Sequence, residues 1–508
     1  MKKFKFIIFI LLIISFVIVL FYGIFGTSLS FLSSKEIKKD RKLKEDLINE
    51  LKINNEDAIY DKNKNIYYYM VPSNYENNIY VLNLDLKDGF KYKIVGENLN
   101  IIKVDYSKQI KVIIYNDKYY YETKIQLTNL PLISITSESD ITTNDTESIF
   151  TYINTNNIEK QFINNSKIHI RGASSKKFDK KSYKINMYNK SYKKEEEVNI
   201  ENFYYGNSFI LDAVYRDPSK LRNVLSTELW NDISNDFNNV DIYSEFVEVF
   251  INNEYKGIYV FTEPINRRRL NLNKSDSTDT SIIIKSVNWI MPQEIKKNYN
   301  IDIPIHLGYE LKYPNDSEFY ESSWDLILNK LSTYYTDMYS YEKIKNSFNL
   351  KNYIDIIIFN AFTNNSDNNL AKNNYFYAHS LNSKEIYIQP WDMEYSYGLT
   401  FASENKKFYE KNLNDYTEIY TLFYHEDCPE INKLLIDRYW ELRKNILTKE
   451  YFDNVLDKYK NQLNKGAALR DSSIWYEYDI EEEIEEIRTW IYNRLDYFDS
   501  YIKDLENE

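Results

Sequence analysis

The sequence predicts an α+β protein in which an N-terminal transmembrane helix and a small antiparallel β-sandwich precede a larger mixed domain. An almost unbroken apolar run extends from Phe6 to Phe25. Short apolar and aromatic runs, typical of strands, follow from about Ile59 to Leu130. Beyond Ile133 such runs alternate with segments whose apolar residues recur every three or four positions, which is typical of helices.

The N-terminal residues 1–30 are predicted to form a membrane anchor. A helix of about 20 apolar residues suffices to cross a bilayer. Lys2, Lys3 and Lys5 precede the apolar run, and this basic flank favours an inside N-terminus. The alternative is a cleaved signal peptide, but the run is longer than an ordinary signal-peptide core and no small-residue cleavage motif follows. The bulk of the chain is therefore expected outside the cytoplasm, on a single-pass membrane protein.

Two further segments come before the mixed domain. Residues 31–57 are rich in charge, which predicts a solvated helical stalk. Residues 58–132 are interpreted as the β-sandwich, because the runs Ile110–Tyr115 and Tyr119–Leu127 bracket the turn signal Asn116-Asp117-Lys118. This part contains no cluster of catalytic residue types, so a spacer or binding role is favoured there.

Composition excludes several classes of function. The chain has 508 residues and a net charge of -12, which argues against general nucleic-acid binding but not against a local basic site. Its single cysteine, Cys428, excludes an internal disulfide. The four histidines show no HExxH pattern, which disfavours a histidine-based zinc site.

The mixed domain, residues 133–504, has elements of both kinds. Its C-terminal part, from about Tyr416, is predicted to be mainly helical, with one apolar face. The predicted strands are Ser166–Ile170, Ser182–Met187, Phe246–Ile251, Tyr255–Phe261, Tyr375–His379 and Glu385–Gln389. The predicted helices are Pro218–Ile233, Lys351–Phe362 and a C-terminal helix with Ile484, Ile487, Ile491, Leu495 and Phe498 on one face.

A basic, serine-containing loop joins the first two of these strands. It contains Arg171, Ser174, Ser175 and Lys180, and strand alternation places Lys180 on the same face as Lys184. Backbone N–H groups and hydroxyls beside a glycine can hold an anion, and lysines can neutralise phosphate. The alternative is a solvated edge hairpin protected by its lysines.

Two acidic segments complete a candidate site. Asp392 follows the strand Glu385–Gln389, with Glu394 two residues on, which is a common way to hold a divalent metal. Upstream, Asp367 precedes Asn373 and Asn374. A carboxylate followed closely by an amide ligand matches the logic of a kinase catalytic loop, although the alternative is an asparagine-rich surface loop.

Two charged residues on regular elements are more ambiguous. Arg222 lies early in the helix predicted from Pro218, where a capped helix with outward polar residues is the alternative. Glu263 closes the strand Tyr255–Phe261, where an ion pair with one of the arginines 267–269 is the alternative.

Taken together, these segments resemble the CotH kinase family, the spore-coat-type atypical protein kinases. The resemblance covers about residues 135 to 500, and four blocks match in family order. They are Arg171-Gly-x-Ser-Ser with Lys180-Lys-Ser-Tyr-Lys, the helix segment Asp217–Leu225, the hairpin Phe246–Glu263, and Asp367 to Tyr377 with Pro390-Trp-Asp-Met-Glu-Tyr-Ser-Tyr-Gly.

The resemblance implies a divergent kinase-like fold that transfers phosphate from ATP to serine or threonine of surface or spore-coat proteins. Asp367 matches the catalytic aspartate and Asp392 the metal-binding one, so Mg²⁺ or Mn²⁺ is expected with ATP. Asn373 or Asn374 is expected to assist the metal, with Glu394 as a further ligand. Lys180 is the favoured match for the phosphate-contacting lysine, with Lys181 and Lys184 as alternatives. Further matches at charged positions are Arg171, Arg222 and Glu263.

The chain departs from the family pattern at several positions. Asp179 stands where the family usually has proline, Asn253 replaces a hairpin glycine, and Glu394 replaces an aspartate. Two other classes of function are also kept. One is a non-catalytic surface adhesion or coat-assembly protein with the same fold. The other, a glycan-processing enzyme with paired carboxylates, would leave the basic loop without a role.

Overall fold

The chain is a mixed α+β protein, as the sequence predicts. The computed structural model describes residues 38–39, 51–97, 99–157, 159–200, 202–203, 205–238, 241–287, 305–306, 308–336, 340–365, 374–399, 428–463 and 466–507. The predicted anchor, Asp367 and Asn373 lie outside these residues. Across the described part of the chain, no helix combines the length and apolarity needed to span a bilayer.

Strands dominate the first half of the chain and helices the second. The strands are β1 Lys38–Lys39, β2 Lys52–Ile53, β3 Glu56–Asp57, β4 Ile59–Asp61, β5 Ile66–Met70, β6 Ile79–Val81, β7 Leu84–Asp85, β8 Lys91–Ile94, β9 Ile101–Lys103, β10 Gln109–Tyr115, β11 Tyr119–Thr128, β12 Leu132–Thr136, β13 Thr146–Ile153, β14 Gln161–Arg171, β15 Ser182–Tyr188, β16 Ser208–Asp212, β17 Ser244–Ile251, β18 Glu254–Thr262, β19 Ile282–Ser286, β20 Ile305–His306, β21 Tyr309–Tyr313, β22 Asn374–Ala378 and β23 Tyr387–Pro390. The helices are α1 Arg222–Asn238, α2 Tyr320–Thr336, α3 Tyr341–Ser347, α4 Leu350–Thr363, α5 Pro429–Leu442, α6 Lys449–Leu463, α7 Ala467–Ser472 and α8 Ile480–Glu506.

The chain divides into two compact units. The first comprises Val81–Ile102, Ile110–Ile125 and the described residues up to Ala58. The second comprises Ile59–Tyr80, Lys103–Gln109 and the described residues from Gln126 onward. The domain boundaries given by the sequence pattern remain a prediction.

In the first unit, strands occupy the described part of the segment predicted to be a helical stalk. β2 pairs with β3 and with β7, both antiparallel. Asn54 and Asn55 turn the chain between β2 and β3 with φ angles of 52° and 65°. Asparagine tolerates this left-handed conformation well, so the pair closes a tight turn that charge patterning alone does not reveal.

The second unit contains a closed barrel of seven strands in the order β12-β13-β14-β15-β16-β18-β17. β12 pairs in parallel with β17 and thereby closes the barrel. Every other pair of neighbouring strands in the barrel is antiparallel. Alternate side chains fill the interior, among them Ile135, Phe150, Ile185 and Phe261, all fully buried. The predicted hairpin of β17 and β18 is therefore confirmed as part of this barrel.

A five-stranded sheet, in the order β20-β21-β19-β22-β23, forms the other β layer of the second unit. One large core joins this sheet to helices α1, α4 and α8, through side chains such as Trp230, Phe359, Phe376 and Ile487. The predicted helix around Ile356 is confirmed as α4, and the predicted apolar face of the C-terminal helix is confirmed as the buried side of α8.

Helix α1 begins later than predicted, at Arg222 instead of Pro218. The residues before it form a turn around the Asp217 carboxylate, whose Oδ1 accepts from the Ser219 N–H at 3.0 Å and whose Oδ2 accepts from the Arg222 N–H at 2.8 Å. Lys220 in this turn has a φ of 62°. Residues 218–221 therefore form this hydrogen-bonded turn and not the first turn of the helix, which was predicted from Pro218.

A buried carboxylate attaches helix α7 to the barrel. Asp471 Oδ1 lies 2.7 Å from Lys180 Nζ and accepts from the Ile258 N–H at 2.9 Å, while Lys220 Nζ lies 3.9 Å from Oδ2. Gly257 permits this approach, because a Cβ there would lie 2.1 Å from Asp471 Oδ1. Beside this contact, Arg470 Nη2 donates to the buried Glu248 Oε2 at 2.8 Å.

Replacing Asp471 by alanine is expected to destabilise the protein by about 3–5 kcal/mol, because two buried lysine ammonium groups lose their carboxylate. The free energy of unfolding in denaturant measures this loss. Asp437→Ala on the exposed face of α5 removes the same charge from solvent and should change stability by less than about 0.5 kcal/mol. Equal unfolding midpoints for the two variants would contradict a structural role for Asp471.

Candidate functional site

Two adjoining cavities lie where the barrel faces the five-stranded sheet. The larger, of about 580 Å³, is lined by residues of β15, β16, β19, β21 and β22 and by the segment after β18. The smaller, of about 30 Å³, lies beside the ends of β16 and β23. Arg171, Ile210 and Trp391 line both, so the two cavities adjoin, and together they are called the cleft.

The wall of the larger cavity is strongly basic. Lys312 on this wall pairs with Glu310 at 2.6 Å, and Arg269 pairs with Glu263 at 2.9 Å. Within the described residues, Arg171, Lys184 and Lys285 have no carboxylate at ion-pair distance. The basic residues that line the cavity are Arg171, Lys184, Arg267, Arg268, Arg269, Lys285 and Lys312, against two carboxylates, Glu195 and Glu263.

Mutual repulsion and burial affect these cations. Burial lowers the pKa of Lys184, and the neighbouring Lys312 and Arg171 lower it further. Burial likewise lowers the pKa of Lys285, and the negative charge of Asp392 offsets only part of this effect, so that the pKa is about 8. Arg171, Lys184 and Lys285 form a group of like charges with no carboxylate at ion-pair distance among the described residues, and such a group attracts anions, because a bound anion relieves the repulsion.

The small cavity contains the acidic end of the cleft. Asp392 follows β23 with a φ of 63°, an uncommon conformation for a residue with a side chain, and its side chain is exposed. Asp212, the last residue of β16, lines the same cavity. Burial raises the pKa of Asp212, and the charge of Asp392 raises it further. The two carboxylates therefore lie close enough to interact electrostatically.

Asn223 links these two carboxylate segments from helix α1. Its Nδ2 donates to Asp212 Oδ2 at 3.1 Å, and its Oδ1 accepts from the Met393 N–H at 3.1 Å. The amide thus holds the turn that carries Asp392 against the end of β16. Asp212 was not among the residues predicted from the sequence. The signal that could have identified it is a carboxylate at the end of an apolar strand.

Four of the residues predicted from the sequence come together in the cleft. Arg171 lines both cavities, Lys184 and Glu263 line the larger one, and Asp392 lines the smaller one. Glu263 forms an ion pair with Arg269. This is the alternative role that the sequence suggests for Glu263. The cleft also contains Lys285, to which no role was given from the sequence.

Two of the predicted basic residues are buried elsewhere. Lys180 borders neither cavity, since its Nζ donates to the Ile258 carbonyl and to Asp471. Arg222 also borders neither, and its Nη1 donates to Asp217 Oδ1 at 2.6 Å. Both side chains therefore serve buried ion pairs, and of the three candidate lysines 180, 181 and 184 the one that lines the cleft is Lys184.

The remaining predicted residues also lie outside the two cavities. Ser174 and Ser175 begin a short 3-10 helix after Gly172. Asn374 is fully buried at the start of β22, opposite Pro390. Glu394 is half-buried. Burial lowers the pKa of Lys220, and the charge of Glu394 partly offsets this lowering. Among the described residues, no group of three or more His, Cys, Asp or Glu is placed to hold a metal ion.

The segment that leads to Asp367 is attached to the turn after Asp392. Helix α4 ends at Thr363, and the Tyr397 N–H donates to the Thr363 carbonyl at 2.9 Å. Arg494 of α8, fully buried, donates to the Ala361 carbonyl at 2.6 Å and to the Phe362 carbonyl at 3.2 Å. The end of α4 is therefore fixed relative to the segment that carries Asp392.

Comparison with known proteins gives a consistent result. The chain is 25% identical, over 240 residues, to the inner spore coat protein H of Bacillus subtilis (strain 168). This alignment covers 47% of the chain and 60% of that relative, so it spans less than two thirds of the relative's length. The family model described as CotH kinase protein matches residues 168–498, which contain both cavities' charged residues. Because this match extends over well more than half of the sequence, the chain belongs to the CotH kinase family.

Proposed function

We propose that the protein is an extracytoplasmic protein kinase that transfers the γ-phosphate of ATP to serine or threonine of surface or coat proteins. The observation that supports this most directly is the cleft itself. It combines cations that have no carboxylate partner among the described residues with the carboxylate of Asp392 at its other end. Phosphoryl transfer requires both parts, since it depends mainly on positioning and on charge stabilisation.

The larger cavity suits the nucleotide. Its volume of about 580 Å³ lies within the usual range for small-molecule sites, roughly 300–1,000 Å³. Arg171 and Lys184 would bind the phosphates through charge-assisted hydrogen bonds. We assign this contact to Lys184 instead of Lys180, because Asp471 and the Ile258 carbonyl already occupy the Lys180 ammonium.

Asp392 is the residue best placed to hold a divalent cation. Its carboxylate is exposed, and the carboxyl group of Asp212 lines the same small cavity. Mg²⁺ or Mn²⁺ bound there would supply neutralisation of phosphate charge. Carboxylate and amide oxygens suit such hard cations. Asn373, Asn374 and Glu394 remain predicted ligands.

Asp367 is proposed to orient the acceptor hydroxyl and to accept its proton. The hydrogen bonds from Arg494 and Tyr397 to the end of α4 support this, because they restrain the chain just before Asp367. A general base works only within hydrogen-bond reach of the proton that it takes, so this restraint matters for the reaction.

A second candidate is a coat or surface protein that keeps the fold without catalysis. The relative in Bacillus subtilis is named as an inner spore coat protein, which favours a coat or surface location for this chain as well. The membrane anchor predicted from Phe6 to Phe25 is compatible with either function and remains a prediction.

Asp392→Asn is expected to reduce phosphate transfer from radiolabelled ATP by at least about a hundredfold, because the metal loses its carboxylate. Asp367→Asn should cost about 10²- to 10⁴-fold through loss of the general base. The assay uses Mg²⁺ or Mn²⁺ and measures label on the protein and on added acceptor proteins.

Asp437→Asn on α5 is the control and should label like the wild type. Equal labelling of all four proteins would refute the kinase assignment, whereas a wild type that neither labels nor binds ATP would favour the coat-assembly alternative.

Asn223→Ala is expected to weaken the binding of ATP with Mn²⁺ at least about tenfold, since it releases the turn that carries Asp392. Calorimetric titration measures this affinity. The matched control is Asn352→Ala on α4, because Asn352 also makes one donated and one accepted side-chain hydrogen bond, to the Ile388 carbonyl at 3.0 Å and from the Ile388 N–H at 2.7 Å, and neither residue lines a cavity. Each variant should lose about 1–3 kcal/mol of stability from its two hydrogen bonds. A similar loss of affinity in both would show that Asn223 acts only through general stability.

A further inference from the structure

Lys285 is a charged residue that follows three apolar residues in strand β19. The three residues before it in β19, Ile282, Ile283 and Ile284, are fully buried. Lys285 itself is half-buried and lines the larger cavity. A cation at such a position loses hydration, which is unfavourable unless a partner compensates. Within the described residues no carboxylate lies at ion-pair distance from its ammonium group, so a bound anion would supply the compensating charge.

The aromatic floor of the cavity places this ammonium group near the acidic end. Lys285 pairs across the sheet with Tyr375, and its Nζ lies 5.5 Å from the centre of that ring. The Tyr375 ring in turn contacts Trp391 edge-on, with the ring centres 6.1 Å apart. Trp391 lines both cavities and directly precedes Asp392. Lys285 therefore lies on the floor that connects the basic wall to the metal-binding end.

The charges around Lys285 differ from those around Lys184. Asp392 is the strongest charged neighbour of Lys285, followed by Arg171 and Lys312. Lys184 instead interacts with Lys312, Glu195 and Arg171. Lys285 lies in the same sheet as β23, the strand that leads to Asp392, with only β22 between them, whereas Lys184 lies on the barrel. A chain of phosphates that extends from a metal at Asp392 would meet Lys285 before Lys184.

We propose that Lys285 is a phosphate-binding residue, which contacts the phosphate group of the bound nucleotide that lies nearest to Asp392. With Arg171 and Lys184 it forms a three-cation subsite for a polyphosphate chain, built from the barrel on one side and from the five-stranded sheet on the other. This inference rests on the proposed function, since it assumes that the anion in the cleft is a nucleoside polyphosphate. Binding the chain from both sides would align it with Asp392.

The test uses the full chain and two probes, ATP with Mn²⁺ and inorganic tripolyphosphate without metal, each titrated calorimetrically. Lys285→Met keeps the side-chain volume and removes the charge, and Lys285→Arg keeps the charge. Lys433→Met is the charge control, since Lys433 is exposed on α5.

We expect Lys285→Met to bind both probes at least about tenfold more weakly than Lys433→Met, and Lys285→Arg to recover part of the loss. Because Lys285→Met removes a poorly hydrated charge, its melting temperature without ligand should equal or exceed that of the wild type.

The outcomes separate this inference from the proposed function. Normal binding of both probes by Lys285→Met would overturn the role of Lys285 and leave the kinase proposal standing. Weakened binding in Lys285→Met, together with a wild type that binds ATP but transfers no phosphate, would support the subsite and overturn the kinase proposal. A wild type that binds neither probe would overturn both. A lowered melting temperature with unchanged affinity would show that Lys285 is structural, which also overturns the inference.

Discussion

The geometry of the cleft depends on the buried carboxylate of Asp471. It contacts three segments at once, namely the Lys180 side chain, the Lys220 side chain and the backbone N–H of Ile258. Each of these segments continues into the cleft. Lys180 precedes the strand that carries Lys184, Lys220 precedes the helix that carries Asn223, and Ile258 lies on the strand that leads to Glu263. One carboxylate therefore sets the relative positions of the cleft's basic wall and its acidic end.

The cleft concentrates positive charge in a protein whose net charge is -12. Burial and repulsion lower the pKa values of Lys184 and Lys285, so these cations are held in an unfavourable environment by the surrounding fold. Such an arrangement lowers the stability of the empty protein and raises its affinity for anions. The negative remainder of the surface would repel anions elsewhere, which favours their accumulation at this site.

Much of the fold follows from local patterns in the sequence. The hairpin of β17 and β18, helix α4 and the apolar side of α8 were predicted, because each depends on periodicity within one segment. The choice between Lys180 and Lys184 was not resolved. Strand alternation puts both on one face, but β15 begins at Ser182, so alternation does not extend to Lys180. Its partner Asp471 is 291 residues away in the chain, a pairing that no local pattern can reveal.

Gly257 shows how far the absence of one methyl group determines this architecture. The space that a Cβ would need there is taken by Asp471 Oδ1, 2.1 Å from the ideal Cβ position, and the backbone has a φ of +90°. Any side chain at this position would displace the carboxylate of Asp471, on which Lys180 and Lys220 depend. Positions 257 and 471 are therefore expected to vary together among related proteins: a relative with a larger residue at the first should lack the aspartate at the second, and should anchor its cleft by different contacts.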